Sequence, residues 1–92
     1  MSWQSRLSKK AQKQASSLPE SIRNILFQLL REIELLGPVR GNWPNYSRLL
    51  DNRHHCHLKK GKPTYVAVWE VSKKEIKLVE VIYAGTHEKA PY

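Results

Sequence analysis

The spacing of apolar and polar residues predicts two helices near the N-terminus, the second much the longer. Apolar residues recur every three or four positions across residues 18–36, which is typical of one amphipathic helix. Residues 17–20 read Ser-Leu-Pro-Glu, the pattern of a capping box, and Gly37 with Pro38 should end the helix. Ahead of it, Ser8 could cap a short polar helix through Ala15, and residues 3–7 alternate weakly as a strand would. A single longer helix from Ser2 is the alternative.

The second half of the chain predicts a three-stranded antiparallel meander. Strand-like runs cover residues 53–59, 64–71 and 75–84, separated by short turns. Residues 37–52 should form a connecting segment with turns, pinned to the body by Trp43 and Tyr46. Both faces of the last two strands are largely apolar, so each needs a cover. The long helix can cover one face. Another element must cover the second face, and a partner chain is one candidate.

Composition bounds the class of protein. Ninety-two residues suit one domain, 1–92, with a modest core. The formal net charge of +8 favours a polyanionic or acidic partner, although ribosomal and housekeeping proteins share this balance. Residues 35–68 contain one acid, Asp51, among six Lys and Arg side chains, and this focusing favours nucleic acid. A lone cysteine, no secretory leader and no membrane-length apolar run predict a cytoplasmic protein.

The most informative segment is residues 53–62, which combine three histidines with four Lys or Arg side chains and no acid. Histidine exchanges protons near neutral pH, and cations hold phosphate. Strand periodicity predicts a cationic face on which two imidazoles, His55 and His57, are poised over a phosphate. The residues of that face are Arg53, His55, His57 and Lys59. The competing interpretation is an edge strand whose charges prevent unwanted pairing.

Metal binding and thiol chemistry are disfavoured at this strand. Neighbouring histidine and cysteine side chains would point to opposite faces of the sheet. No CxxC or HExxH pattern completes a set of zinc ligands. Cys56 shares a face with Leu58, which favours a buried small apolar side chain over a nucleophile. His54, on the same side, is expected to be packed. No metal or other cofactor is predicted.

The C-terminal tail, residues 85–92, supplies a second candidate cluster. It follows the last strand and contains His87 and a terminal Tyr92. The tail could simply be frayed, or it could fold beside the neighbouring strand and complete a site. With a pKa near 10, a tyrosine would more readily orient or stack on a base than remove a proton.

The order of these elements resembles the RelE/ParE superfamily of bacterial toxin–antitoxin toxins. A helix pair, a basic meander and a glycine, histidine and terminal tyrosine follow one another as in that family, over essentially the whole chain. The resemblance implies an α+β fold, with two N-terminal helices packed on a small twisted, mainly antiparallel sheet and a possible short N-terminal strand. It also implies either mRNA cleavage in the ribosomal A site or poisoning of DNA gyrase. Val66 stands where many members have an arginine, so Lys59, Lys60 or Lys62 would have to replace it.

The sequence thus predicts a metal-independent, ribosome-dependent mRNA endoribonuclease that is neutralised by a cognate antitoxin, with a toxin–antitoxin hetero-oligomer as one form of the pair. His55 or His57 would be the base, His87 the acid and Tyr92 a stacking or orienting residue. The predicted phosphate contacts are Arg53, Lys59, Lys60 and Lys62. The alternatives are a gyrase inhibitor and a non-catalytic basic nucleic-acid-binding module.

Overall fold

A five-stranded sheet with two helices makes up the computed structural model, which describes residues 3–49 and 51–91. The strands are β1 (Gln4–Leu7), β2 (Ser47–Arg48), β3 (Arg53–Lys59), β4 (Tyr65–Val71) and β5 (Leu78–Thr86). The helices are α1 (Lys9–Ser16) and α2 (Glu20–Leu36), and a short 3-10 turn follows at His87–Lys89. The sheet order is β1-β5-β4-β3-β2, antiparallel except for the parallel β1–β5 pair. The predicted α+β architecture is therefore confirmed.

The helix ends confirm one predicted cap and contradict another. The Ser8 hydroxyl accepts from the Ala11 amide at 3.0 Å and begins α1 as expected. The predicted capping box at residues 17–20 is wrong. Ser17 is the C-cap of α1, and its hydroxyl donates to the Lys13 carbonyl at 3.3 Å, so Pro19 begins α2 without a side-chain cap. At the other end, Gly37 stops α2 with a φ of +97°, a conformation that favours glycine.

The main core lies between the helices and one face of the sheet. The buried positions of α2 follow its predicted apolar stripe and pack against the buried sheet residues Cys56, Trp69, Val79 and Val81. Trp69 is fully buried, and its indole donates to the Pro38 carbonyl at 3.0 Å, tying the connecting segment to the sheet. This core fixes the position of β3, which carries the candidate histidines.

Strand boundaries differ from the predicted runs where turns intervene. The last strand begins at Leu78 rather than residue 75, because the Ser72 hydroxyl accepts from the amides of Lys74 and Glu75 and extends the turn. It then continues to Thr86, two residues beyond the predicted end. The two-residue strand β2 was missed, since it lies in a segment dominated by turn residues.

The second face of the sheet is covered partly by the chain itself. Val66, Val68 and Tyr83 form a small buried cluster there, against which Leu49, Ile82 and Ala90 pack. For these residues a partner chain is not needed as a cover. The tail therefore lies over the face that carries the half-buried histidines.

Candidate active site

The two faces of β3 separate as the period of two predicted, through Leu58. His54, Cys56 and Leu58 are buried, whereas His55 and His57 are half-buried on the other side. Burial, with a smaller contribution from the Glu32 carboxylate, raises the pKa of the Cys56 thiol to about 12. The thiol therefore stays protonated at neutral pH, and its role is packing.

His54 belongs to the core rather than to the site. Its ring stacks on both Tyr46 and Trp69 at centroid distances of 5.8 Å, and its Nδ1 lies 2.6 Å from the Tyr46 hydroxyl. Burial, and secondarily the charge of Arg48, lowers the pKa of the His54 imidazole. The ring is thus held neutral inside an aromatic stack.

The other three histidines converge on the opposite face of the sheet. The ring centroids of His55 and His57 lie 6.3 Å apart, and those of His57 and His87 lie 5.6 Å apart at an interplanar angle of 71°. The backbone amide of His87 donates to the Thr64 carbonyl at 2.8 Å, which fixes the tail beside the start of β4. The tail therefore folds beside the neighbouring strand, which is one of the two alternatives that the sequence left open.

Electrostatics favour neutral imidazoles at His55 and His57. Burial lowers the pKa of His57, and the neighbouring charges of His87, His55 and Lys60 lower it further. Burial lowers the pKa of His55, a hydrogen bond with the Ser47 backbone raises it, and the charge of His87 lowers it further. A neutral imidazole can accept a proton at pH 7, as a general base must.

The hydrogen bonds of the two rings differ. His55 Nδ1 lies 2.9 Å from the hydroxyl of Ser47, which pairs with it across the β2–β3 ladder. By contrast, Nδ1 of His57 is buried and has no hydrogen-bond partner among the described residues. Ser47 thus orients one imidazole, while packing and the strand backbone position the other.

The predicted phosphate-binding lysines divide into two groups. Lys60 is close enough for its charge to lower the pKa of His57, and Lys62 lines a cavity of about 440 Å³ beside His87. Lys59 is different, because the register shifts after His57 and pairs Lys59 with Tyr65. Since Tyr65 precedes Val66, the partner of His57, this bulge turns Lys59 away from the histidine side. The predicted alternation of the strand therefore holds through Leu58 and fails at Lys59.

Arg53 lies at the far end of β3 from the cluster. Four residues at about 3.3 Å each separate it from His57 by about 13 Å along the strand. Its Nε pairs with the Glu70 carboxylate at 3.1 Å, and Glu80 beside Glu70 pairs with Arg6 at the same distance. The structure therefore places Arg53 in a charged row across four strands, apart from the three imidazoles.

Tyr83 anchors the backbone that leads to His87. Its hydroxyl donates to the Thr86 carbonyl at 2.7 Å, so the ring passes over Gly85. A Cβ on Gly85 would lie 2.8 Å from the Tyr83 hydroxyl oxygen, a distance that real Cβ atoms essentially never show. The absence of a side chain at Gly85 is what allows this contact.

One predicted residue of the site is not described by the structure. Tyr92 lies outside the described residues, so its stacking role stays a prediction. Among residues 3–49 and 51–91, no group of three or more His, Cys, Asp or Glu could hold a metal ion. No helix in the same ranges is long and apolar enough to cross a membrane.

Comparison with solved structures places this arrangement on a known fold. The free Escherichia coli toxin RelE with two arginine-to-alanine substitutions superposes with a TM-score of 0.75 at 22% identity, covering 96% of this chain and 86% of that one. The isolated E. coli RelE toxin gives a TM-score of 0.70 at 21% identity, with coverages of 97% and 88%. RelE from the Pyrococcus horikoshii RelE–RelB complex gives 0.68 at 15%, with coverages of 98% and 100%. The chain has the RelE fold. By sequence, no family model and no curated protein matches it.

On this RelE fold, the chemistry of β4 departs from the pattern expected of the family. Val66, where many members are expected to have an arginine, is fully buried and pairs with His57. It lies in the small apolar cluster with Val68 and Tyr83, so no cation projects from this position. Positive charge near the imidazoles comes instead from the turn between β3 and β4.

Sequence reasoning missed two residues of the site. Ser47 lay in a segment read as turns, and no local signal marked it as a partner of His55. Tyr83 was detectable in principle, because residues two apart on a strand share a face and a glycine there leaves room for the ring.

Proposed function

We propose that this protein is the toxin component of a toxin–antitoxin system and cleaves ribosome-bound mRNA without a metal ion. The observation that carries the proposal is the convergence of His55, His57 and His87 on one sheet face beside Lys60 and Lys62. Imidazoles are suited to proton transfer at neutral pH, and lysines to binding phosphate. The RelE fold of the chain supports the same assignment.

The proposed reaction uses the RNA's own 2'-hydroxyl as the nucleophile. His55 or His57, neutral because its pKa is lowered, removes the hydroxyl proton as the oxygen attacks the adjacent phosphorus. His87 gives a proton to the departing 5'-oxygen. The products are a 2',3'-cyclic phosphate and a 5'-hydroxyl, so atoms and charge balance without water or a cofactor. Tyr92 is proposed to stack on a base at this site.

Cations stabilise the charge that develops on the phosphorane-like state. Lys60 and Lys62 are the proposed contacts nearest the imidazoles. Lys59, turned away from the imidazoles by the bulge, would have to reach round from the other face of the sheet to contact a phosphate. Arg53 would have to leave Glu70 and could hold only a more distant phosphate.

The proposed protein partner is an acidic antitoxin that folds on binding. A net charge of +8 provides the electrostatic attraction, and the solved RelE–RelB complex shows a protein of this fold bound to a second protein. Co-expression with the product of a neighbouring small reading frame should rescue growth and yield a co-purifying complex.

Cleavage of a ribosome-bound message by purified variants tests the reaction. General acid–base catalysis contributes about 100- to 10,000-fold, so His57→Ala or His87→Ala should slow cleavage by at least ~100-fold. Removal of Tyr92 is expected to slow cleavage as well. Circular dichroism and a ribosome-binding assay should show little change, because the His87 side chain is exposed and His57 only half-buried.

Two outcomes would contradict the proposal. Variants that fold and cut as fast as the parent would remove the histidines from the mechanism. A parent that cuts no RNA but inhibits DNA gyrase supercoiling would replace the reaction with a binding poison.

A further inference from the structure

A cleft of about 580 Å³ lies on the other side of the tail from the imidazoles, beside the second half of β5. Strand β1 pairs with β5 only from Leu78 to Val81, so the rest of β5 has no strand neighbour on that edge. Helix α1 lies there instead and is pinned by Gln14, whose side-chain oxygen accepts from the Ala84 amide at 3.0 Å. The cleft is the space left between helix and strand.

The walls of the cleft are cationic. Helical spacing of three, four and seven residues places Lys10, Lys13, Gln14 and Ser17 along one stripe of α1, next to the stripe on which Ala11 and Ala15 are buried. Lys89 faces them from the 3-10 turn. The lining contains no acidic side chain, so three positive charges act together with the hydroxyl and amide groups.

Aromatic surface accompanies these charges. Tyr65, which is only partly buried, lines the cleft, whereas Tyr83 lines it as a buried ring. Lysines that hold phosphates beside aromatic rings on which bases stack are the combination that binds single-stranded nucleic acid. An acidic peptide would use the lysines but has no comparable need for the rings.

The cleft adjoins the cavity that contains His87. Thr86 lines both spaces, while His87 and Glu88 face one and Lys89 faces the other. One strand of RNA could therefore cross the tail at Thr86 and contact both.

We infer that this cleft is a second anion-binding site, which holds the backbone of single-stranded RNA next to the scissile phosphate. The inference rests on the proposed function for the position of that phosphate, but the binding itself does not require cleavage. Lys10, Lys13 and Lys89 bind phosphates, and Tyr65 offers a ring to a base.

The test measures binding of a non-cleavable 2'-O-methyl single-stranded RNA as a function of salt. Each phosphate contact contributes about 0.7 to the slope of log affinity against log salt for single strands, so Lys10→Ala with Lys13→Ala should reduce the slope by about 1.4. Alanine keeps the helix, and both lysines are exposed, so the fold should persist. Lys73→Ala with Lys74→Ala is the matched control, because it removes the same charge from the turn at the opposite end of β5 and should leave the slope nearly unchanged.

The outcomes separate this inference from the proposed reaction. A parent that binds RNA with the expected slope change but cuts nothing would support the cleft and refute the cleavage. A salt slope that falls equally in both double variants, or in neither, would overturn the assignment of the cleft as an RNA-binding site. Retained RNA binding with lost affinity for polyglutamate in the Lys10 and Lys13 variant would assign the cleft to an acidic protein instead.

Discussion

Substitution of Gly85 by alanine gives a sharp test of how the tail is held. The new Cβ would lie 2.8 Å from the hydroxyl oxygen and 3.0 Å from Cζ of Tyr83, so the ring must move. Tyr83 is only 6% exposed and packs in the cluster with Val66 and Val68, which leaves it little room. Movement also breaks its 2.7 Å hydrogen bond to the Thr86 carbonyl, next to His87.

The expected cost has two parts. Overpacking of a buried site costs about 1–3 kcal/mol, and loss of one hydrogen bond about 0.5–1.5 kcal/mol. The free energy of unfolding should therefore fall by roughly 2–4 kcal/mol, and Tm by at least ~8 °C in a chain of this size. Domains are typically stable by about 5–15 kcal/mol, so most of the protein should remain folded.

Thermal and urea unfolding, compared with a matched glycine variant, measure this cost. Gly41→Ala places a Cβ with nothing within 4 Å and is expected to change the free energy of unfolding by less than about 0.5 kcal/mol. In a Tyr83→Leu background, Gly85→Ala should cost at least ~1 kcal/mol less, because the clashing atoms are gone. Equal effects of Gly85→Ala and Gly41→Ala, or no coupling to Tyr83, would refute the account.

Three further predictions concern pH, the core and the connecting segment. Because burial lowers the pKa of His55 and of His57, the unfolded chain takes up protons first as pH falls through about 6.5, so the free energy of unfolding should be lower at pH 5.5 than at 7.5; urea titrations with equal results would contradict this. Leu26→Ala, at a fully buried position of α2, should cost about 2–5 kcal/mol in the same assay, whereas a cost below 1 would show that the helix is not packed as described. Glu32→Ala should cost about 1–3 kcal/mol and shift Trp43 fluorescence, because Glu32 accepts the indole N–H at 3.0 Å; an unchanged emission spectrum would argue against that anchor.

The sequence determined the elements whose signals are local. The apolar stripe of α2, the Ser8 cap and the bounds Arg53–Lys59 of β3 all follow from periodicity and residue type. The same period correctly separated buried Cys56 from half-buried His57. Successive side chains of a strand point to opposite faces of the sheet, whichever strands pair with it.

Tertiary structure decided what depends on residues distant in sequence. Ser17 could begin α2 or end α1. The choice depended on where α1 stops, which the capping pattern could not show. The bulge that turns Lys59 away, and the pairing of Arg53 with Glu70, arise only when β3 meets β4. The 5.6 Å approach of His57 to His87 likewise requires 29 intervening residues to fold, because no local rule brings a tail back to a strand. Sequence therefore supplied the chemistry of the candidate site, and only the assembled sheet determined which of its groups meet.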